Sequence, residues 1–531
     1  MLRLANHLWL RTLALGLSLP ALAIGQTTLP TLCAMVPDAA VVVVEIAEPR
    51  TAVPALLQAL GGVPPGLRER LGVSAWAGLA AAWVAVDGDP TAFATKVAGG
   101  GAVFALVPTA KGPQPVLLLR PHDLVATEQW FARFAKPLAR AVQDGVVVVA
   151  TDPELTTALG ARAHTAPGRW ANVDLGASAA VRGAFDLAAL RRSPGASTQP
   201  FAALDAGARL LLAPLAFAAT SGELVQFAIA GGDQLQFTAR TDTSVKTAPV
   251  GDLLPAPQQR QDVPLAVDGL LHLRLDRCLR TLLTTPERFL QPAEVLGVQG
   301  FLSIADAIDG AHTSFVDDLL GGLGEPFELY VLPVTPPLDG APPRLQLPGF
   351  ALVAPITNAA AEPVLFRMAQ AFAVIANAER AQRGLSLFPV RTHKTDSGHG
   401  LVAEPLAWRG PGAPPIEQAL SPTLWSENGH IVLASTHAAA MTMVAATKAA
   451  KTALCSGDRL LLRGPASAQA IAQSRSVFEL GRMLDEGEGP SKAARFFDIL
   501  LLVVAAVREV EVRVACDARE TRLTITMERG R

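Results

Sequence analysis

Two stretches decide how this chain reads: DGVVVVATDPELTTAL, Asp144 to Leu159, and NGHIVLASTHAAAMTM, Asn428 to Met443. Each sets out a glycine-containing turn, a short apolar run and then a helix start. Apolar runs of this length, bounded by turn signals, read as buried strands. Their recurrence in one order predicts that the chain states a single structural unit twice.

Working outward, the neighbouring segments repeat as well. VVVVEI (Val41 to Ile46) begins the first copy and LLHLRL (Leu270 to Leu275) the second, each followed by helical character around Leu56 and Leu57 or Leu282 and Leu283. Paired strands follow, Val103 to Pro108 with Pro115 to Arg120 and Glu328 to Pro333 with Gly349 to Pro355, each pair joined by a proline-rich turn. Amphipathic helices are predicted over Thr127 to Val142 and Ala361 to Arg380, with Phe131 and Phe134 or Phe366 and Phe372 spaced for one face. SAAVRG (Ser178 to Gly183) then matches RLLLRG (Arg459 to Gly464), Arg-Gly on Arg-Gly. Apolar helices over Arg209 to Ala219 and Phe496 to Val507 lead into alternating hairpins from Glu223 and Glu509. Alternation turns one side of each hairpin toward a core, predicting Val225, Phe227, Leu235 and Phe237 inward in one copy and Val510, Val512, Leu523 and Ile525 in the other.

The expected fold class is α+β: two related domains, each a mainly antiparallel sheet covered on one side by helices. The first copy runs over 30–245, a Pro- and Gln-rich linker over 246–264 and the second copy over 265–529, with an inserted hairpin and loop over 384–427. This order, together with the glycine turn, the valine-rich strand and the "ATDPEL" helix start of Val146 to Leu155, resembles a group of large exported bacterial proteins of uncharacterised function. The resemblance implies a duplicated α+β scaffold and carries over no catalytic residue.

Residues 1–23, MLRLANHLWLRTLALGLSLPALA, read as an export signal: Arg3 and Arg11, an apolar run from Leu13 to Leu22, and small residues Ala21 and Ala23 before a cleavage point. About ten apolar residues interrupted by Pro20 are short for a membrane span, so a retained anchor is the lesser reading. Pro30, Thr31 and Leu32 before Cys33 lack the small residue a lipid-attachment site needs. The expected protein is soluble after cleavage, periplasmic or extracellular, with no stable transmembrane span.

The 531 residues are 50% hydrophobic and 17% charged, enough for a large core. Losing Arg3 and Arg11 with the signal takes the formal net charge from -2 to -4, and there is no basic run. That excludes a nucleic-acid partner, whose phosphates select clustered Lys and Arg. Aromatic residues make up only 5%, with Tyr330 the one tyrosine, which disfavours stacking on sugars or bases.

Cys33, Cys278, Cys455 and Cys516 have no zinc-like spacing, and an oxidising compartment permits disulfides. A Cys455–Cys516 bridge is a possible disulfide, tying two elements of one sheet. The polar candidates are His393 and His399, flanking a turn with Asp396 between them as a metal-binding tip, and Asp306 and Asp309, sharing a helix side at i, i+3 for acid-base work or calcium. Solvated surface is the plainer account of both. No G-x-S-x-G elbow is present, EGEGPSK (Glu486 to Lys492) lacks the ending of a phosphate loop, and Gly99 to Gly101 precede a strand instead of following one. No cofactor is expected. The reading is a non-enzymatic exported protein that binds a protein partner or an apolar small molecule; the alternatives are a hydrolase using the acidic or histidine candidates and an envelope scaffold.

Overall fold

The computed structural model describes residues 32–46, 48–51, 97–110, 112–132, 138–161, 169–172, 181–192, 222–230, 234–242, 258–262, 269–288, 292–309, 314–333, 348–406, 416–455, 457–485, 487–516 and 520–529, with isolated positions between them. The expected signal segment and the apolar helix expected over Arg209 to Ala219 fall outside these ranges, apart from single positions in the latter.

The strands are β1 (Val42–Ile46), β2 (Ala102–Thr109), β3 (Gly112–Leu119), β4 (Ala139–Gln143), β5 (Val146–Ala150), β6 (Val181–Asp186), β7 (Leu224–Ala230), β8 (Gln234–Asp242), β9 (Gln258–Asp262) and β10 (Leu271–Leu275). They continue with β11 (Phe327–Leu332), β12 (Gly349–Pro355), β13 (Val390–Lys394), β14 (Gly398–Ala403), β15 (Thr423–Glu427), β16 (His430–Ala434), β17 (Lys451–Cys455), β18 (Asp458–Arg463), β19 (Val507–Cys516) and β20 (Glu520–Arg529). The longer helices are α1 (Leu124–Phe131), α2 (Pro153–Ala161), α3 (Pro292–Asp309), α4 (Ala361–Gln382), α5 (His437–Lys448), α6 (Gly464–Gln473), α7 (Arg475–Asp485) and α8 (Pro490–Ala506).

Eighteen strands form one antiparallel sheet, and β9 with β17 form a separate two-stranded one. Following the pairings across the large sheet gives β4, β5, β3, β2, β1, β6, β7, β8, then β20, β19, β18, β10, β11, β12, β16, β15, β14, β13. The two series run alike outward from β8 and β20 until the hairpin β13–β14 extends the second. They meet edge to edge, β8 against β20, in nine antiparallel pairs centred on Thr238 and Thr524. The halves therefore share one sheet instead of standing as two separately closed ones.

The opening motifs build the same local device in both halves. Asp144 and Gly145 have φ of 51° and 73°, Asn428 and Gly429 of 54° and 70°, so each pair forms a two-residue turn with both residues left-handed. That geometry matches strand twist and favours Asp-Gly and Asn-Gly. Each turn is therefore a hairpin, β4–β5 or β15–β16, paired Gln143 with Val146 and Glu427 with His430. After each hairpin a helix follows at once: α2 in one half and α5 in the other, capped by the Thr436 hydroxyl.

Several boundaries differ from the sequence reading. The helix expected over Thr127 to Val142 ends at Phe131, and residues 139–143 are strand β4. Residues 423–427, placed in the insert, are β15, which occupies in the second half the place β4 holds in the first. Within the expected linker, residues 258–262 are strand β9, paired with β17. Arg182 lies opposite Glu45 and Arg459 opposite Arg274, so Arg182 corresponds in position to Arg459, four residues before the Arg463 of the sequence match.

Helices on one side only is also corrected. Every residue of β5, Val146 to Ala150, is buried. On the front face Val43, Val103, Leu118, Val146 and Val148 pack with Leu32, Met35, Leu159 and Trp170; on the back, Leu119, Val147 and Val149 pack with Val97 and Phe131. Burying each such side chain contributes about 1.5–3 kcal/mol. In the second half α5 lies on the front, where Met443 and Val444 meet Tyr330, Val353, Trp425 and Val432. α4 lies on the back: its Glu362 and Phe366 reach His399, and its Val364 and Met368 pack with Ala305, Phe315 and Leu319. At the join the hairpins alternate as predicted, with Phe227, Phe237, Leu235, Leu523 and Ile525 in one back-face cluster.

Candidate functional site

One line of paired residues crosses the front face through the second half: Thr524, Arg513, Arg459, Arg274, Glu328, Val353, Val432, Trp425, Gly400, His393. Three arginines, a glutamate and a histidine lie on it. The corresponding line in the first half runs Thr238, Ala228, Arg182, Glu45, Val103, Leu118, Val148, Ala141.

Arg513, Arg459 and Arg274 stand directly opposite one another on three adjacent strands, an arrangement like charges oppose. Glu511 offsets it, its Oε1 accepting from Arg459 Nε at 2.5 Å and lying 2.8 Å from Arg513 Nη2. Beside Arg274, Glu328 and His272 are each 1% exposed and Tyr330 is fully buried. The Tyr330 hydroxyl donates to Glu328 Oε2, and His272 Nε2 lies 3.3 Å from the same oxygen. His272 stacks on the Tyr330 ring, centroids 4.4 Å apart, while both its nitrogens and Glu328 Oε1 have no hydrogen-bond partner. The matching first-half positions are Val43 for His272, Val103 for Glu328 and Ala105 for Tyr330. The second half thus holds a closed polar cluster where the matching first-half positions are apolar. Its residues are shut away from solvent, which suits holding the sheet together better than turning over a substrate.

A second buried pair ties the end of β10 to β18. Arg277 Nε donates to Asp458 Oδ2 at 2.9 Å, and Asp458 Oδ1 accepts from the Asp276 amide. In the first half Glu45 accepts from Arg182 Nε at 2.6 Å. Glu45 also contributes, after burial, to pushing the Cys33 thiol far above its ordinary pKa, so Cys33 stays protonated and unreactive.

The outer end of the line carries a third cluster. Glu427 Oε1 lies 2.7 Å from Lys448 Nζ and accepts from Ser397 Oγ at 2.5 Å; Oε2 accepts from Trp425 Nε1 at 2.8 Å. Lys448, then Ser397, hold its carboxyl at a pKa of about 2. One carboxylate thereby joins the turn of the inserted hairpin, β15 and the end of α5. Next to it the His393 and His437 rings lie 5.7 Å apart, and Trp425 flanks His437 at 6.0 Å.

The sequence candidates resolve as follows. His393 and His399 do belong to one hairpin, but His393 pairs with Gly400 and His399 with Lys394, which puts them on opposite faces. His399 Nε2 lies 2.9 Å from Glu362 on the back; His393 meets His437 on the front. They do not form a shared tip. Asp306 accepts the Phe315 amide at 2.6 Å, closing the turn after α3, and Asp318 likewise takes the Ser314 amide. The Asp309 side chain lies outside the described residues. So do those of Cys455 and Cys516; Cys455 ends β17 in the small sheet while Cys516 ends β19 in the large one. Among the described residues no three or more His, Cys, Asp or Glu side chains converge as a metal group.

A cavity of about 230 Å³ at the join is lined by Leu224, Gln226, Arg240, Asp242 and Glu520, a polar lining ill suited to an apolar molecule. Large apolar side chains lie instead on the outside of helices. Leu296 is 69% exposed, Ile304 62%, Val374 69% and Leu484 74%. Phe301 and Ile304 stand beside Gly297 and Gly300, where even an added Cβ would meet open space. In α7, Val477, Leu480 and Leu484 recur at helical spacing and face out. Among the described residues no helix is long and apolar enough to cross a membrane.

No family model, curated protein or solved structure matches the chain.

Proposed function

We propose that the chain is a non-enzymatic exported binding protein, built from two copies of one α+β unit, whose partner is another protein seated on the apolar outer faces of its helices. The reading rests on Phe301, Ile304, Val374, Ile375, Val477 and Leu484, which face water on regular helix faces. Exposed large apolar side chains grouped on helix faces favour an interaction role. The like strand order running outward on each side of the β8–β20 join supports duplication. A protein partner is preferred to an apolar small molecule because the apolar surface lies outside and the cavity at the join is polar. The hydrolase alternative gains no support from Asp306, whose carboxylate is committed to a backbone amide.

The test is photo-crosslinking in exporting cells, with a photoreactive residue at position 304 or 484 of the full chain. A discrete protein adduct approaching one per chain is expected, and lost when the probe sits on the back-face core at 227. Adducts to lipid alone, or none, would overturn the reading.

A further inference from the structure

We propose that His393 and His437 form a two-histidine site for a divalent transition metal of the copper, nickel or zinc class, clamping the inserted hairpin to the head of α5. Nε2 of His393 and Nδ1 of His437 are both closed off from solvent, and neither has a hydrogen-bond partner. Buried ring nitrogens left in this state call for an explanation, and a bound ion is one.

The geometry fits. Imidazole binds such metals at about 2.0–2.1 Å, which puts the ion about 3.2 Å from each ring centre and two rings on a tetrahedral ion about 5–5.5 Å apart. The observed separation is 5.7 Å, with 32° between the planes, and binding an ion turns His393 Nε2 and His437 Nδ1 toward one point. Burial and then the neighbouring His393 hold His437 below its ordinary pKa, while Glu404 opposes this; the neutral imidazole is the ligand form. Glu404, whose Oε2 lies 3.5 Å from Arg391 Nη1, supplies carboxylate charge near His437. His437 opens α5, whose positive end disfavours a cation, so micromolar binding is the expectation. Copper(II) should bind most tightly of the series. Among the described residues, β13, which carries His393, has no strand in the same place in the first half.

The experiment uses the untagged full chain, stripped with chelator and titrated with Cu2+ under electron paramagnetic resonance. One ion per chain with coupling to two nitrogens is expected. His393→Gln and His437→Ala should each weaken binding at least ~10-fold, with circular dichroism unchanged for His393→Gln, which lies on the added hairpin. His399→Ala and His430→Ala should bind as the parent does. Absence of a tight ion at micromolar Cu2+, or binding indifferent to both His393→Gln and His437→Ala, would overturn the proposal.

Discussion

Replacing Glu427 with glutamine tests how the second half holds its inserted hairpin. The carboxylate takes three contacts, from Lys448, Ser397 and Trp425, and its side chain is almost wholly buried. Its pKa falls from an ordinary 4.5 to about 2. At about 1.4 kcal/mol per unit that shift corresponds to at most ~3.5 kcal/mol. Lys448 is more than half exposed, so screening reduces the net figure to about 1–2 kcal/mol. The sign follows from linkage. A depressed carboxylate pKa adds stability that is fully present above about 4.5 and is lost as pH falls toward about 2. Urea unfolding of parent and Glu427→Gln should therefore differ by about 1–2 kcal/mol at pH 7 and converge at about pH 1.5, below the folded pKa, with amide exchange in β14 and β15 faster in the variant at neutral pH. An equal gap at both pH values, or no gap at pH 7, would refute the argument that charge at Glu427 holds this corner.

Two more outcomes follow from the same geometry. Glu328→Ala leaves the Tyr330 hydroxyl buried without its partner and removes the charge beside His272, and should cost about 3 kcal/mol in urea unfolding, whereas combining it with His272→Val and Tyr330→Phe should restore part of that loss, because those two polar groups are then gone as well. Gly429→Val places a β-branched residue at a φ of 70° and should cost about 1–2 kcal/mol, read as faster exchange in β15 and β16, while Gly300→Ala, which meets only open space in α3, should be neutral or slightly stabilising.

The Asp-Gly and Asn-Gly turns, the valine strand and the terminal hairpins were legible because turn chemistry and period-two alternation are local properties. β4 was not: ARAVQ has weak strand propensity, follows a run with helical phenylalanine spacing, and becomes a strand only through pairing with β5. Burial on both faces was written in VVVVA, which does not alternate, but the second covering layer includes Val97 and Phe131, distant in sequence. The polar core was hidden by its own pattern. LHLRL and FELYVL alternate leucine with polar residues, which ordinarily marks a side turned to water. The available signal was the comparison of VVVVEI with LLHLRL, where Val43 gives way to His272 and Glu45 to Arg274. The approach of His437 to His393 depends on the insert folding back beside β15, which no local pattern records.

The seam between β8 and β20 also sets a timetable for biogenesis. Gln234 and Glu528 meet across it although 294 positions separate them along the chain. At roughly 10 residues per second, the older hairpin waits about half a minute for its mate to be synthesised. Throughout that interval β8 is a long, bare, apolar-backed template for any passing strand, so a holding factor acting on the nascent or translocating polypeptide should raise yield most when it shields the region around Phe237.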